Sequence, residues 1–325
     1  MRIVVVADPL PVLQPAHDST VAIVEAAQER GHEVLVTTTR QLSVRDTRAH
    51  AACRQLTVVP ATLAGGRWRA VADWWRVGAE RDACLDDADA VLMRTDPPVD
   101  GDYLRATYLL DQVDRRVVMV NAPEGLRAAN EKLFILRFPE LVPDTVVTAD
   151  IGEAVDTVRR WGRAVLKPTD GMAGRGILRL CPGDPNIRSI LETATARGRS
   201  QVVVQRYLDE AGHHGDRRVI VLDGEPIGVV RRVAAPGEFR CNMAAGADVV
   251  ADEVTPADKH VCSALAPELA RLGLVLAGID VIGDRLTEVN VTSPTGLREI
   301  DALSGTRLPH LVVEHLERAV AGRRP

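Results

Sequence analysis

Aromatic residues are scarce: four Trp, three Tyr and three Phe make up 3% of the 325 residues. The chain therefore has few platforms on which bases could stack. Its formal net charge of -5 exerts no general pull on a polyanion, so no nucleic-acid partner is expected. The five cysteines (Cys53, Cys84, Cys181, Cys241, Cys262) are odd in number, widely spread and without a C-x-x-C pair. A disulfide framework and a zinc site are thereby excluded as organising devices, and a reducing cytoplasm fits. Long apolar runs are missing as well. The first, Ile3 to Ala7, is too short for a secretory h-region, and no segment approaches membrane-spanning length, so no membrane association is expected. Internal repeats and low-complexity tracts are absent too. What remains is a chain with 46% hydrophobic and 26% charged residues, ordinary for a globular protein and long enough for two or three domains.

The first third alternates strand and helix. RIVVVADP reads as a buried strand stopped at Asp8-Pro9, and Ser19 or Asp18 can cap a helix with apolar Val21, Ile23, Val24 and Ala27 that ends at Gly31. EVLVTTT completes β-α-β, which opens an α/β domain with parallel strands. RQLTVVP is a further strand. AVLMRTDPP is apolar and then abruptly polar at Arg94 and Asp96, and ligands of open α/β sheets sit beyond the carboxyl ends of strands. A plain strand-to-loop transition would look the same. A helix over Asp102 to Val113 and strand VVMVN carry the alternation to about residue 122.

NEKLFILRF, residues 130–138, then reads as a short amphipathic helix carrying Lys132. After the helix Ile151 to Trp161, AVLKPTDGMAGRGILRL sets a strand ending at Lys167 against a loop with Gly171, Gly174 and Gly176. Glycines let backbone N–H groups approach a ligand closely, which suits a lid over phosphates. The loop is no Walker A motif, because it lacks G-K-[ST] and joins strand to strand. A plain hairpin is the simpler alternative. Strand QVVVQRYL follows, then an Asp223-Gly224 hairpin whose strands carry Arg218, Arg231 and Arg232, with Arg240 and Asn242 beyond it. Singly these arginines read as edge-strand charges, whereas several converging on one anion would be bidentate clamps. Helices over Pro256 to Leu272 and Pro309 to Val320 complete the chain.

Between those helices lies AGIDVIGDRLTEVNVTSP, a hairpin of two aliphatic strands around Gly283 and Asp284. Glu288 and Asn290 are two apart and share a face, roughly 7 Å from each other along the strand. A three-residue loop, Gly283 to Arg285, sets Asp280 opposite Glu288, and a two-residue loop moves its partner to Val289. In the first register two carboxylates and an amide oxygen converge, a hard donor set that suits Mg²⁺ completed by water and phosphates. The plain alternative is a solvated polar face.

NEKLF, LKPTDGMAGRGI and IDVIGDRLTEVNVTSPTGLREI, together with VADPL, HDST, MRTDPP and RATYLLD, resemble the ATP-grasp ligases, and within them the bacterial glutathione synthetases, over nearly the whole chain. The resemblance implies a fold of mixed α/β and α+β class. It has an N-terminal α/β domain (residues 1–122), a central lid domain (123–200) and a C-terminal catalytic domain (201–325). It implies an ATP-dependent carboxylate–amine ligase in which Lys132 and Lys167 contact ATP phosphates. Gly171, Met172, Gly174 and Gly176 belong to the closing loop, and Gln205, Arg206, Tyr207 and Leu208 line the adenine pocket. Asp280, Glu288 and Asn290 match metal ligands for Mg²⁺, usually two ions, with Mn²⁺ as a substitute. Arg232, Lys167 and Arg218 fall on catalytic positions, and Asp18, Ser19, Arg94, Arg240, Asn242 and Ser293 on the substrate side. The substrates implied are γ-glutamylcysteine and glycine, and the assembly a homo-oligomer. His17, Thr95 and Cys241 depart from the family's pattern on the substrate side. They leave a sibling ligase for other amino-acid-like substrates as the alternative. A nucleotide-binding regulator without turnover would need a missing lysine or metal ligand, and none is missing.

Overall fold

The computed structural model describes residues 1–323. The N-terminal sheet is built from β1 (Arg2–Val6), β2 (Glu33–Thr37), β3 (Leu42–Arg45) and β4 (Arg48–Val58), then, past the small ribbon β5 (Thr62–Ala64) and β6 (Arg67–Arg69), from β7 (Trp75–Cys84), β8 (Ala90–Met93) and β9 (Val118–Val120). Its order is β3-β4-β2-β1-β8-β9, with β7 paired to β4. As expected, β2, β1, β8 and β9 run parallel, and α1 (Ser19–Glu29) and α2 (Gly101–Leu110) belong to this part of the chain. Asp18 is the cap of α1, accepting from the backbone N–H of Thr20 and Val21. The expectation of parallel strands fails beyond β2, where β3, β4 and β7 extend the sheet antiparallel. Small buried residues Ala49, Ala51 and Cys53 alternate along β4 with more exposed ones, a period-2 pattern too weak in hydrophobicity to stand out.

After α3 (Pro123–Ala128) the expected helix over residues 130–138 is a turn followed by a single 3₁₀ turn, Phe134–Arg137. Asn130 accepts through its side-chain oxygen from the backbone N–H of Lys132 and Leu133, as a cap does, but the chain continues only as this short turn. The unit expected to be a lid follows: β10 (Thr145–Thr148), α4 (Ile151–Trp161), β11 (Ala164–Pro168), β12 (Leu178–Leu180), α5 (Ile187–Ala194) and β13 (Val202–Arg206). All pairings in this sheet are antiparallel, in the order β10-β13-β11-β12, so its last strand lies beyond residue 200. Asp150 caps α4 and Gly162, at φ 79°, ends it. Ala154, Val158, Leu166, Leu180, Leu191 and Val204 form a core within this unit.

The third sheet contains β14 (Asp216–Leu222), β15 (Glu225–Val233), β16 (Asp248–Ala251), β17 (Leu276–Ile282) and β18 (Arg285–Asn290), in the order β16-β15-β14-β17-β18. The turn joining β14 to β15 places Asp223 at φ 52° and Gly224 at φ 82°, the left-handed pair that a two-residue hairpin requires. The helices of this part are α6 (Asp209–His214), α7 (Pro256–Arg271), α8 (Leu297–Ser304) and α9 (Leu308–Arg323). The N- and C-terminal sheets share their cores. One cluster joins Val91 and Leu126 to Val219, Ile279 and Leu286, and another joins Ile3 and Leu92 to Ile220, Leu297 and Leu316. Buried Asn121 adds a polar rivet: its amide donates to Leu276 O and Val291 O, both at 2.7 Å, and accepts from Val275 N and Leu276 N. Among the described residues no helix is long and apolar enough to cross a membrane.

Candidate active site

The β17–β18 hairpin turns through two residues, Gly283 and Asp284, with Ile282 opposite Arg285 and Val281 opposite Leu286. A regular continuation of this two-residue turn would set Asp280 against Thr287, not against the Val289 expected from the sequence. Instead a bulge leaves Thr287 as an extra residue and brings Asp280 opposite Glu288. The hydroxyl of Thr287 donates to the backbone oxygen of Asp280 at 3.1 Å and ties the bulge down. The expected pairing of carboxylates is thus present, but the bulge creates it rather than a three-residue loop.

Asp280 is 3% exposed and held on two sides. Arg218 grips it bidentately, Nε to Oδ1 at 2.5 Å and Nη2 to Oδ2 at 3.0 Å, and Arg232 Nη2 stands 2.9 Å from Oδ2. Burial opposes charge on Asp280, yet the two guanidiniums overcome it and hold its carboxyl well below the usual range. Arg232 also clamps Asp216 through Nε at 2.7 Å and Nη2 at 2.6 Å. Burial raises the carboxyl of Asp216, with Arg232 pulling the other way. The register explains this chain of charges. Asp216 lies opposite Arg232 on the β14–β15 ladder and Arg218 opposite Asp280 on the β14–β17 ladder, so all four stand on one face of the sheet. Its two arginines and two carboxylates balance, and buried charge survives only in such paired form.

Lys132, from the turn after α3, and Lys167, at the end of β11, join these residues in the cavity walls, both buried. Lys132 Nζ lies 3.6 Å from Glu288 Oε1 and donates to the backbone oxygen of Gly171, tying residue 132 to the glycine loop. Burial lowers the ammonium pKa of Lys167, while Glu288 draws it back up. A phosphate placed there supplies the counter-charge that burial has removed. The loop between β11 and β12 needs its glycines: Gly174 has φ 76° and Gly176 φ 70°, and a Cβ on Gly176 would meet Pro168 Cγ at 2.7 Å.

Two cavities meet at this junction. The wide one, about 1240 Å³, exceeds the roughly 300–1,000 Å³ of a single small-ligand site and has room for more than one substrate. Lys132, Gly171, Met172, Gly174, Arg218, Arg232, Asn242, Glu288, Asn290, Ser293 and Asp18 line it. The smaller one, about 80 Å³, is lined by Lys167, Gln205, Arg206, Tyr207, Leu208 and Arg240 among others. Several expected positions need correction. Ser19 is fully buried and its Oγ accepts from Leu297 N, so it seats α8 rather than touching ligand. Arg94 is buried outside the cleft wall, spent on Thr20 Oγ1 and Pro294 O, both at 3.1 Å. Arg206 turns its guanidinium to Asp144, so only its backbone serves the pocket. Arg240 lines the small cavity and donates to Gly174 O of the glycine loop at 3.2 Å. Gly176 bends the loop without lining either cavity.

Sequence reasoning missed Asp216 and Glu131. The alternation Asp216-x-Arg218 on a strand was a readable signal. Glu131 is half-buried in the cleft, its carboxyl raised by desolvation and by Glu288, and it accepts from Thr292 Oγ1 at 2.9 Å. Cys241 is buried as well, its thiol pushed up to about 11 by burial, so it packs rather than reacts.

Among the described residues no three His, Cys, Asp or Glu side chains form a metal-binding group by themselves. The donor chemistry of Asp280, Glu288 and Asn290 still fits a hard divalent cation, because such an ion takes one or two carboxylates and completes its shell with phosphate and water. Asp280 would exchange an arginine contact for the ion.

Two family descriptions match: the prokaryotic glutathione synthetase N-terminal domain over residues 1–127 and its ATP-grasp domain over residues 131–305. The glutathione synthetase of Nostoc sp. is 49% identical over 319 residues, covering 98% of each chain. That of Thermosynechococcus vestitus is 48% identical over 317 residues, covering 97% of this chain and 99% of its own. Among solved structures, the D-cycloserine synthetase DcsG superposes with a TM-score of 0.64 at 17% identity, covering 98% of this chain and 100% of its own. The ATP-grasp ligase PsnB with its precursor peptide superposes with a TM-score of 0.60 at 19% identity, covering 98% of both chains, and both likenesses speak for the fold. The chain is an ATP-grasp ligase and belongs to the prokaryotic glutathione synthetase family.

Proposed function

We propose that the chain joins γ-glutamylcysteine to glycine at the expense of ATP, with the residues around Asp280 doing the chemistry. The cysteinyl carboxylate attacks the γ-phosphorus, the bond to the β-phosphate oxygen breaks and ADP leaves. The acyl phosphate is then attacked by the glycine amine, which loses a proton as inorganic phosphate departs. The observation that carries this reading is the meeting of Lys132, Lys167, Arg218, Arg232 and Glu288 around two adjoining cavities. Phosphoryl transfer asks for positioning and charge neutralisation rather than covalent help, and this is what such a set supplies. Lys132 and Lys167 hold the phosphates, and Arg232 and Arg218 stabilise the transferring group. Asp280, Glu288 and Asn290 hold Mg²⁺, as two ions and with Mn²⁺ as substitute, which neutralises phosphate oxygens when bound. Gly171 to Gly176 close over the nucleotide, keeping water from the acyl phosphate. Asn242 and Ser293 face the acid substrate.

Likeness to glutathione synthetases along the full length supports this acid–amine pair over another amino-acid ligation. We place the domain division after Arg206 rather than at residue 200, since β13 completes the lid sheet. A homo-oligomer in the cytoplasm completes the reading. The test is ADP release by the purified protein with Mg²⁺-ATP, omitting γ-glutamylcysteine and glycine in turn. ADP and a tripeptide of glutathione mass are expected only in the complete mixture. ATP binding without tripeptide would refute the substrate pair and leave the fold's ligase chemistry standing.

A further inference from the structure

The wall of the wide cleft opposite the metal hairpin carries three carboxylates that no ion pair among the described residues answers. Asp8 follows β1 and Asp96 follows β8, side by side at the carboxyl ends of the parallel strands, and Asp96 N donates to Asp8 Oδ2 at 2.9 Å. Asp18 lines the same wall. Burial raises the carboxyl of Asp8, and Asp18 raises it further. Burial likewise raises that of Asp96, with Asp8 and Asp18 adding to the effect while Ser293 and Arg94 counter it. Arg94, whose charge acts on Asp96, is bonded to Thr20 and Pro294 instead, and none of the three aspartates makes an ion pair among the described residues. A second observation is independent of these charges. Tyr103 is 2% exposed and lines this cleft, and its hydroxyl has no hydrogen-bond partner. Thr95 Oγ1, on the same wall, is likewise buried and unpartnered. A buried hydroxyl without a partner costs on the order of 1–3 kcal/mol, so both await a ligand atom.

Resting on the ligase reading above, we propose that this wall is the binding subsite for the amino-acid end of the acid substrate. Asp8 and Asp96 take its α-ammonium group, and the hydroxyls of Tyr103 and Thr95 donate to the α-carboxylate beside it. The reach agrees. Seven bonds separate the α-nitrogen of γ-glutamylcysteine from its reactive carboxyl carbon, roughly 9 Å when extended. Ser293, which hydrogen-bonds Asp96, is three residues along the chain from Asn290 of the hairpin, a span of at most about 10 Å. One molecule can therefore set its ammonium on the aspartates and its carboxylate at the phosphoryl-transfer centre. The subsite would select γ-glutamyl donors over acids that lack a free α-amine.

The test compares γ-glutamylcysteine with glutarylcysteine, which lacks only the α-ammonium group. The wild-type protein is expected to favour the natural dipeptide by roughly 10–100-fold in kcat/KM, the range of a charge-assisted hydrogen bond. Asp96→Asn should bring the two substrates to within about threefold while leaving KM for ATP unchanged. Asp8→Asn does the same work if Asp96→Asn fails to fold. Tyr103→Phe should weaken both acids equally, since both keep the α-carboxylate. Undiminished discrimination in the aspartate variants, or Tyr103→Phe without effect on either acid, overturns the assignment. Absence of wild-type turnover with the dipeptide and glycine instead sinks the proposed acid–amine pair. Calorimetric binding of the two acids to wild type and Asp96→Asn then decides the subsite, and equal binding in wild type overturns it.

Discussion

The lid, residues 145–206, keeps its core to itself, whereas the N-terminal and C-terminal sheets share theirs across two clusters. The body is also riveted by Asn121 and by the bond from Val289 N to Glu131 O. The lid touches the catalytic set mainly through polar contacts at its glycine loop: Lys132 with Gly171 O, Asn130 with Thr169 O and Arg240 with Gly174 O. Polar loop contacts can be remade in another geometry at little cost, while a shared apolar core cannot slide without opening cavities. The difference teaches a division of labour. The buried charges Asp216, Arg218, Arg232 and Asp280 stand on the body, and the lid, which carries its own core, brings Lys167 of β11 and the glycine loop to them; on the proposed function it is the part that moves to admit and enclose the nucleotide.

Substitutions should separate these roles. The largest effect is expected on the body. Glu288→Gln removes a hard anionic ligand and the partner of Lys132, so kcat/KM for Mg²⁺-ATP should fall on the order of 10³-fold. Melting temperature should change little, because Glu288 is paired only loosely at 3.6 Å. Steady-state kinetics across Mg²⁺ concentrations checks it, and unchanged turnover at limiting Mg²⁺ counts against the metal assignment. A smaller effect is expected in the lid. Gly176→Ala puts a side chain at φ 70° against Pro168, a strain of about 1–2 kcal/mol. The loop should settle in another shape, with kcat reduced about 10-fold and acid-substrate affinity kept. Equal loss of dipeptide and ATP affinity would tie the loop to the body after all.

Much of this was legible in the sequence. Apolar runs announced β1, β8, β14, β17 and β18, and the Asp223-Gly224 turn stood out by its chemistry, whereas the α7 cap at Thr255 was not singled out. The antiparallel annex β3, β4 and β7 did not, because alanines and charged residues carry its alternation. The pairing of Asp280 with Glu288 was anticipated, but the bulge at Thr287 that produces it leaves no mark in local composition. Ser19 and Arg94 illustrate the opposite failure. Polar residues in a cleft-forming segment looked like ligand contacts, yet their hydrogen bonds go inward to α8, Thr20 and Pro294. Asp8, Asp96 and Tyr103 become a group only when the ends of two parallel strands and a helix meet.

Hydrogen exchange with and without Mg²⁺ and a non-hydrolysable ATP analogue tests the division between lid and body most directly. The account predicts that added protection concentrates in residues 164–206, above all in the glycine loop, while the β14–β17 ladder stays as protected as before. Equal gains in both regions, or a lid unmoved by saturating nucleotide, would contradict it.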